Sequence, residues 1–271
     1  MTRTVAFIQA RMSSSRLPGK VLADLGGQPM IGHMLSRVRR SARIDHVAVV
    51  TSTDASDDPL AAAVEKMGIG VWRGSLDDVL SRFGGAAEAF GGDVIVRLTG
   101  DCPLIDPAVI DAVIDLREAS GADYCSNVAP PTFPDGLDVE CFTRATLERA
   151  LAEAAKGPEH EHVTLWMRSE EAALKLANLD CIIDASHLRW TVDYPDDLDA
   201  VRRIVAEEQK AGEHFDLFDI LRLTQANRDI LAGNQHQRNE GLLHSLAADS
   251  SVSGSPPTPR LPAKAADRNI S

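Results

Sequence analysis

The chain has 271 residues, 44% of them hydrophobic, and a formal net charge of −12, which allows a substantial core and argues against general nucleic-acid binding. Its four cysteines are widely spaced without a CxxC pair, which argues against a zinc site or disulfide framework and favours a reducing compartment. With no signal peptide and no apolar stretch long enough to span a bilayer, the sequence predicts a cytoplasmic protein with neither a membrane nor a nucleic-acid partner.

Strands and helices alternate through the first half of the sequence. We predict strands at 5–8, 47–51, 69–72 and 93–98, and helices at 30–38, 59–67, 77–90 and 107–119, with Ser75 capping the third helix. These strands are apolar throughout, which is typical of a parallel sheet covered by helices on both faces. We therefore predict an α/β, Rossmann-like fold in which the loops after successive strands face one crevice.

The pattern changes in the second half. The segment 127–138 contains three prolines and a glycine, and we predict an ordered loop or hairpin inserted over the crevice. Helices are predicted at 143–155, 158–169, 195–211 and 217–231, and strands at 174–176, 181–183 and 188–192. From about residue 234 the composition shifts to Gln, Asn, Ser, Pro and Ala. We therefore predict one domain over 1–232 and a disordered tail over 233–271.

A cationic loop follows the first predicted strand. The serines of 13–15 are flanked by Arg11, Arg16 and Lys20, and Gly19 helps bend the backbone so that Lys20 lies beside the loop. Exposed N–H groups and converging positive charge suit a polyphosphate. The loop has neither the GxxxxGK[ST] of a P-loop nor the GxGxxG of a dinucleotide site. On charge alone, three solvated surface cations are an equally good interpretation.

Two aspartates follow predicted strands and are candidate metal ligands. Asp101 comes directly after 93–98, beside Gly100, which permits close approach of a ligand, and Asp193 follows 188–192. Each aspartate is also compatible with a turn or helix-capping role. Together they suit Mg²⁺, which prefers one or two carboxylates plus phosphate oxygens and water. No GxSxG nucleophile elbow is present, so a hydrolase triad is not favoured.

Six stretches of the sequence resemble those of a known family. The stretches that match it in order are 8–22, 73–80, 97–105, 133–140, 161–164 and 189–198, within a resemblance covering residues 4–225. The family is that of the sugar cytidylyltransferases, which includes CMP-KDO synthetase and acylneuraminate cytidylyltransferase. Within it the chain is most similar to the branch typified by spore coat polysaccharide biosynthesis protein F.

The resemblance implies a glycosyltransferase-A-like (nucleotide-diphospho-sugar transferase) fold, a homodimer, and transfer of CMP from CTP to a sugar or sugar acid for surface polysaccharide synthesis. The implied catalytic residues are Arg11, Lys20, Asp101 and Asp193, of which Asp101 and Asp193 bind Mg²⁺. The implied nucleotide-binding residues are Ala10, Arg11, Ser15, Arg16, Lys20, Arg73, Gly100 and Asp101. Those implied on the acceptor side are Asp135, Asp138, Glu140, Glu161 and His162.

Three alternatives remain open at this stage. One is a glycosyltransferase that uses a nucleotide sugar on the same fold, although the only nearby DxD pattern, Asp197 and Asp199, falls at a helix start. The others are a cytidylyltransferase with a phosphonate acceptor and a nucleotide-binding protein without catalysis. Where the branch often has an arginine before Glu161, this chain has His160, which disfavours a carboxylate-bearing sugar if that position contacts an anionic acceptor.

Overall fold

Seven strands form one sheet in the structure, a computed structural model that describes residues 2–155, 157–234, 236 and 238. Their bounds are β1 Thr4–Gln9, β4 His46–Ser52, β5 Gly70–Gly74, β6 Val94–Thr99, β7 Tyr124–Ser126, β8 Glu140–Thr143 and β9 Leu176–Asn178, and a separate small hairpin pairs β2 Asp24–Leu25 with β3 Gln28–Pro29. The sheet order is β5-β4-β1-β6-β8-β7-β9. Because β5, β4, β1 and β6 are parallel, the predicted α/β fold with a mostly parallel sheet is confirmed.

Helices cover both faces of this sheet. Their bounds are α1 Met30–Val38, α2 Asp58–Lys66, α3 Val79–Phe90, α4 Pro107–Ser120, α5 Arg144–Glu153, α6 Pro158–Glu161, α7 Pro195–Ala211 and α8 Leu217–Ala226. Strand β1 contributes Ala6 and Ile8 to the core beneath α1, α4, α7 and α8, and Val5 and Phe7 to the core beneath α3 and α5. Both faces of β1 are therefore buried, as its continuous apolar run indicates. Among the described residues, none of the helices has the length and apolar character needed to cross a membrane.

The first half of the chain follows the predicted order closely. Its strands and helices agree with the predictions to within about two residues at most ends, where assignments commonly differ. The hairpin formed by β2 and β3 was not predicted. The predicted cap of α3 is also wrong, since the Asp78 carboxylate accepts from the Ser81 N–H at 2.9 Å and takes the N-cap position predicted for Ser75. Ser75 instead accepts from the Asp78 N–H.

Several predictions in the second half are wrong. The helix predicted over 158–169 ends at Glu161, and the chain continues as a buried turn and a short 3₁₀ helix at Trp166–Arg168. The strand predicted at 181–183 is a surface loop in which Ile182 is 91% exposed. The helix predicted over 217–231 ends at Ala226 and is followed by a separate 3₁₀ turn. Strands β7 and β8 were not predicted, because each is short and β8 opens with a charged residue.

The segment 188–192 is extended but does not join the sheet as predicted. It pairs with loops, since the Trp190 N–H donates to the Asp135 carbonyl at 2.6 Å and the Val192 N–H donates to the Asp101 carbonyl at 2.8 Å. Buried backbone N–H groups need hydrogen-bond acceptors, and here the loops supply them in place of a neighbouring strand. Because Val192 is bonded to Asp101, the next residue, Asp193, lies close to Asp101.

Gly136 lies where this extended segment crosses the 133–138 loop. Its φ is +112°, and a Cβ there would lie 2.5 Å from the Thr191 nitrogen and 2.6 Å from the Trp190 carbonyl carbon. Both contacts are with backbone, which cannot rotate away. The loop therefore depends on glycine at this position.

We predict that Gly136→Ala lowers the free energy of unfolding by about 3 kcal/mol, measured by urea denaturation, because the backbone strain and the clash add. Gly27→Ala is the matched control: its φ is +88°, but no atom of the described residues lies within 4 Å of the new Cβ. We expect it to cost about 1 kcal/mol, from strain alone. Equal losses for the two variants would show that the crossing is not tightly packed.

Candidate active site

Two pockets meet at the carboxyl edge of the parallel strands. The large pocket, of about 790 Å³, is lined by the loop after β1, the first turns of α3 and the segments around Asp101 and Asp193. The small pocket, of about 220 Å³, extends toward the 135–140 segment. The residues that line both pockets are Arg16, Thr99, Asp101, His162 and Asp193. This shared group marks the junction at which molecules bound in the two pockets would meet.

Lys20 lies between the two predicted metal ligands. Its ammonium donates to Asp193 Oδ1 at 2.9 Å and to the Val192 carbonyl at 2.7 Å, and Asp101 Oδ2 lies 3.5 Å away. Gly19, at φ +74°, precedes the short 3₁₀ turn Lys20–Leu22, in which Lys20 is buried. Burial lowers the pKa of Lys20, but the carboxylates of Asp101 and Asp193 outweigh burial, so the pKa is raised above its ordinary value. Lys20 is therefore a fixed positive charge.

Asp193 binds three cations from three segments of the chain. Its Oδ1 contacts Arg16 Nη2 at 2.6 Å as well as Lys20, and its Oδ2 accepts from Arg189 Nη2 at 2.9 Å. Burial raises the pKa of Asp193, but Lys20 and Arg16 lower it more, so its pKa is held well below its usual range. The buried Asp197 carboxylate at the start of α7 accepts from the Asp193 N–H at 2.8 Å, which fixes the turn.

The carboxylates of Asp101 and Asp193 suit a hard divalent cation. The Lys20 ammonium, which is also a cation, contacts both of them, and the side chain of Asp101 is 29% exposed. Carboxylate oxygens are the ligands that Mg²⁺ prefers. A second group of possible ligands among the described residues, Asp196, Asp197 and His236, is less suitable, because none of the three lines either pocket.

Glu140, on β8, lines the small pocket and is held by several partners. Its carboxylate forms an ion pair with Arg97 and accepts hydrogen bonds from Tyr124 Oη at 2.6 Å and from Thr164 Oγ1. Burial raises the pKa of Glu140, but Arg97 and then Arg168 outweigh burial and lower the pKa to about 2. A carboxylate with so low a pKa is a poor base near neutral pH, so Glu140 positions its neighbours.

Asp135 and Asp138 also line the small pocket. Asp135 Oδ2 accepts from Arg189 Nη1 at 2.8 Å, and Asp138 is paired with Arg238. Burial raises the pKa of Asp135, and it raises that of Asp138 to about 7. Both belong to the residues predicted on the acceptor side, and both line this pocket.

The other predicted residues divide into two groups. Those that line the large pocket are Ala10, Arg11, Ser15, Arg16, Gly100, Glu161 and His162. Gly100 is needed for packing, since a Cβ there would lie 2.8 Å from the Ala10 Cβ. Arg73 does not line the pocket: its guanidinium turns back to the Ser52 carbonyl at 2.8 Å and to Asp58 at 2.6 Å. The structure therefore does not bring Arg73 to the predicted nucleotide-binding group.

Two arginines that the sequence interpretation missed line the pockets. Arg82, on α3, faces the large pocket, and Arg168 faces the small one. The signal for Arg82 was available, because it interrupts the apolar face formed by Val79, Phe83 and Ala86. Arg168 gave no such signal, since it follows the buried run 163–167 that was predicted as part of a regular helix.

Three described residues of the predicted tail contact the site. Asn234 donates to the Arg189 carbonyl at 2.9 Å, His236 stacks on Tyr194 with ring centroids 3.8 Å apart, and Arg238 binds Asp138. The rest of the predicted tail, at 235, 237 and 239–271, lies outside the described residues. The domain boundary at 232 stays a prediction.

Comparisons with known proteins agree with the resemblance found in the sequence. A family model described as cytidylyltransferase matches residues 5–235. Spore coat polysaccharide biosynthesis protein SpsF of Bacillus subtilis (strain 168) is 34% identical over 243 residues, which cover 88% of this chain and 99% of that protein. A 3-deoxy-manno-octulosonate cytidylyltransferase of Anaeromyxobacter sp. (strain Fw109-5) is 29% identical, with 76% of this chain and 98% of that protein covered. The solved structure of a cytidylyltransferase from Leptospira borgpetersenii serovar Hardjo-bovis (strain JB197) matches with a TM-score of 0.81 at 31% identity, covering 88% of this chain and 98% of that one.

The low pKa of Glu140 predicts how stability depends on pH. In the folded chain this pKa is about 2, below its ordinary value of 4.5, so the ionised carboxylate stabilises the fold above about pH 4.5 and that contribution is lost as the pH falls toward 2. We expect the stability advantage of the wild type over Glu140→Gln, measured by urea denaturation, to shrink by roughly 3 kcal/mol across this range. The exposed Glu148→Gln serves as the control. A difference that is independent of pH would contradict the assignment.

Proposed function

The chain belongs to the cytidylyltransferase family of nucleotidyltransferases, and from that premise we propose that it transfers CMP from CTP to a hydroxyl group of a sugar or sugar acid and releases pyrophosphate. One observation carries the proposal: a cation, the Lys20 ammonium, sits between Asp101 and Asp193 where the two pockets join. We further propose a cytoplasmic enzyme of surface polysaccharide synthesis, a role stated in the name of the SpsF relative. The homodimer stays a prediction.

CTP occupies the large pocket in this proposal. The pocket is large enough for a nucleotide, at about 790 Å³, and its walls carry Arg11, Arg16 and Lys20 as cations for the triphosphate. The α-phosphate lies at the junction, where the small pocket gives an acceptor access to it. The protein thereby holds the two reactants in one orientation, which is the main contribution of a site without a covalent intermediate.

Asp101 and Asp193 are the residues that hold Mg²⁺ in this proposal. The bound ion supplies charge neutralisation of the phosphates. Arg16 and Lys20 lie beside the same junction and donate hydrogen bonds to phosphate oxygens, which stabilises the charge that develops as the α-phosphate is attacked. Arg189 keeps Asp193 in place by binding its second oxygen.

The acceptor occupies the small pocket, and Arg168 supports an acceptor with an anionic group. No described residue forms a hydrogen bond or an ion pair with the Arg168 guanidinium, and its Nε is buried without a partner. The other cations of the pocket are already paired: Arg97 with Glu140, and Arg189 with Asp135 and Asp197. A carboxylate or phosphonate on the acceptor would give Arg168 its missing partner.

We predict that Asp101→Asn lowers the rate of pyrophosphate release from CTP by roughly 1,000-fold, because it removes a ligand of the cation and a charge at the reacting phosphate. The assay supplies Mg²⁺, CTP and a panel of sugar acids, neutral sugars and phosphonates. Asp199→Asn is the control, since the side chain of Asp199 is 73% exposed on α7. Loss of activity in the Asp199 variant alone, with a nucleotide sugar as donor, would instead support the glycosyltransferase alternative. CTP binding by the wild type without turnover of any acceptor would support the non-catalytic one.

We predict that Arg168→Gln raises the KM for an anionic acceptor roughly 10- to 100-fold and leaves the KM for CTP unchanged, because a charged hydrogen bond to the acceptor is lost. Steady-state kinetics with each substrate varied in turn measure both values. The control is Arg222→Gln, because the Arg222 side chain is 72% exposed on α8 and pairs with Asp219. An unchanged acceptor KM in the Arg168 variant would contradict the anionic acceptor.

A further inference from the structure

The cations of the large pocket fall into two groups that differ in their partners. Lys20 and Arg16 are bound to Asp193. Arg11 and Arg82 form no ion pair with any carboxylate among the described residues, and both line the large pocket. At the Arg11 and Arg82 end, the carboxylates of Asp57, Asp78 and Asp77 raise the pKa of Arg82, but none of them forms an ion pair with it. An anion that enters the pocket can therefore pair directly with Arg11 and Arg82.

Arg82 is unusual because it is charged, buried and mostly without partners. The residue is 1% exposed, its Nη2 donates to the Leu76 carbonyl at a long 3.3 Å, and its Nε and Nη1 have no hydrogen-bond partner in the part of the chain that the structure describes. Burial and then the neighbouring Arg11 lower the pKa of Arg82 to about 10, which still leaves it protonated near neutral pH. An unpaired buried charge destabilises a fold. Such a group is retained where a ligand completes it.

The position of Arg82 relative to the two pockets indicates which part of a nucleotide it contacts. Arg11 and Arg82 line the large pocket but not the small one, so they lie away from the acceptor. In an in-line displacement the leaving group departs on the side opposite the attacking oxygen. The charge that needs neutralising on that side belongs to the terminal phosphates.

We propose that Arg82, together with Arg11, binds the terminal phosphates of CTP and holds the departing pyrophosphate. This inference rests on the proposed function. In the reaction, a bond forms between the acceptor oxygen and the α-phosphorus, and the bond from the α-phosphorus to the oxygen bridging to the β-phosphate breaks. The electron pair of that bond goes to the pyrophosphate oxygen, and the hydroxyl proton passes to water. Arg82 donates to the phosphate oxygens on which the negative charge accumulates.

The test is calorimetric binding of CTP, CMP and inorganic pyrophosphate to the wild type and to Arg82→Met. We expect the Kd of CTP and of pyrophosphate to rise roughly 10- to 100-fold, and the Kd of CMP, which lacks the terminal phosphates, to stay within about twofold. Removal of an unpaired buried charge should leave the Tm of the protein without ligand unchanged or higher. Arg43→Met, at a surface ion pair with Asp115, is the matched control and should change none of these values.

Two results would overturn the assignment. An equal loss of CMP and CTP affinity would mean that Arg82 contacts the nucleoside, and unchanged affinity for all three ligands would mean that it contacts none. If Arg82→Met fails to fold, Arg82→Lys keeps a charge without the guanidinium and is expected to weaken CTP and pyrophosphate binding to a smaller extent. Failure of the wild type to bind CTP would contradict the proposed function, while the pyrophosphate measurement would still test Arg82.

Discussion

The ion pairs of Asp193 are the interaction on which the site depends. One carboxylate holds Arg16 from the loop after β1, Lys20 from the 3₁₀ turn, and Arg189 from the extended segment before α7. These segments are more than 160 residues apart in the chain at their extremes, so the carboxylate joins the beginning and end of the domain. Breaking a buried pair on one side typically costs about 3–5 kcal/mol, because it leaves the other charge unpaired. The same contacts that close the fold thereby assemble the site.

The sequence was sufficient to predict that Lys20, Asp101 and Asp193 lie together, but it gave the wrong reason for the position of Asp193. Asp101 does follow a parallel strand, and strand ends collect along one edge of such a sheet. Asp193 follows a segment that pairs with loops and not with the sheet. The apolar pattern of 188–192 is the same as that of a sheet strand, because a buried segment that pairs with loops has the same side-chain pattern as one that pairs with strands. Only the tertiary contacts distinguish the two.

Arg73 and Arg82 illustrate what a single sequence leaves undetermined. Both lie near the β5–α3 connection, and the family pattern favours Arg73 because it begins a matching stretch. Which guanidinium enters the pocket depends on competing partners: the Ser52 carbonyl and Asp58 draw Arg73 away, and Arg82 has no comparable partner. Partners of this kind become visible only when segments distant in sequence are placed together. The same holds for Arg238, whose contact with Asp138 spans 100 residues.

The most direct test of the two-carboxylate site is titration of Mn²⁺ as a spectroscopic probe, monitored by electron paramagnetic resonance, with and without CTP. We expect CTP to tighten Mn²⁺ binding to the wild type, because the triphosphate adds ligands beside Asp101 and Asp193. We expect Asp101→Asn and Asp193→Asn, each shown to be folded, to lose the tight Mn²⁺ site. Mn²⁺ affinity that equals that of the wild type in both variants, with CTP present, would contradict the assignment of Asp101 and Asp193 as the metal-binding pair.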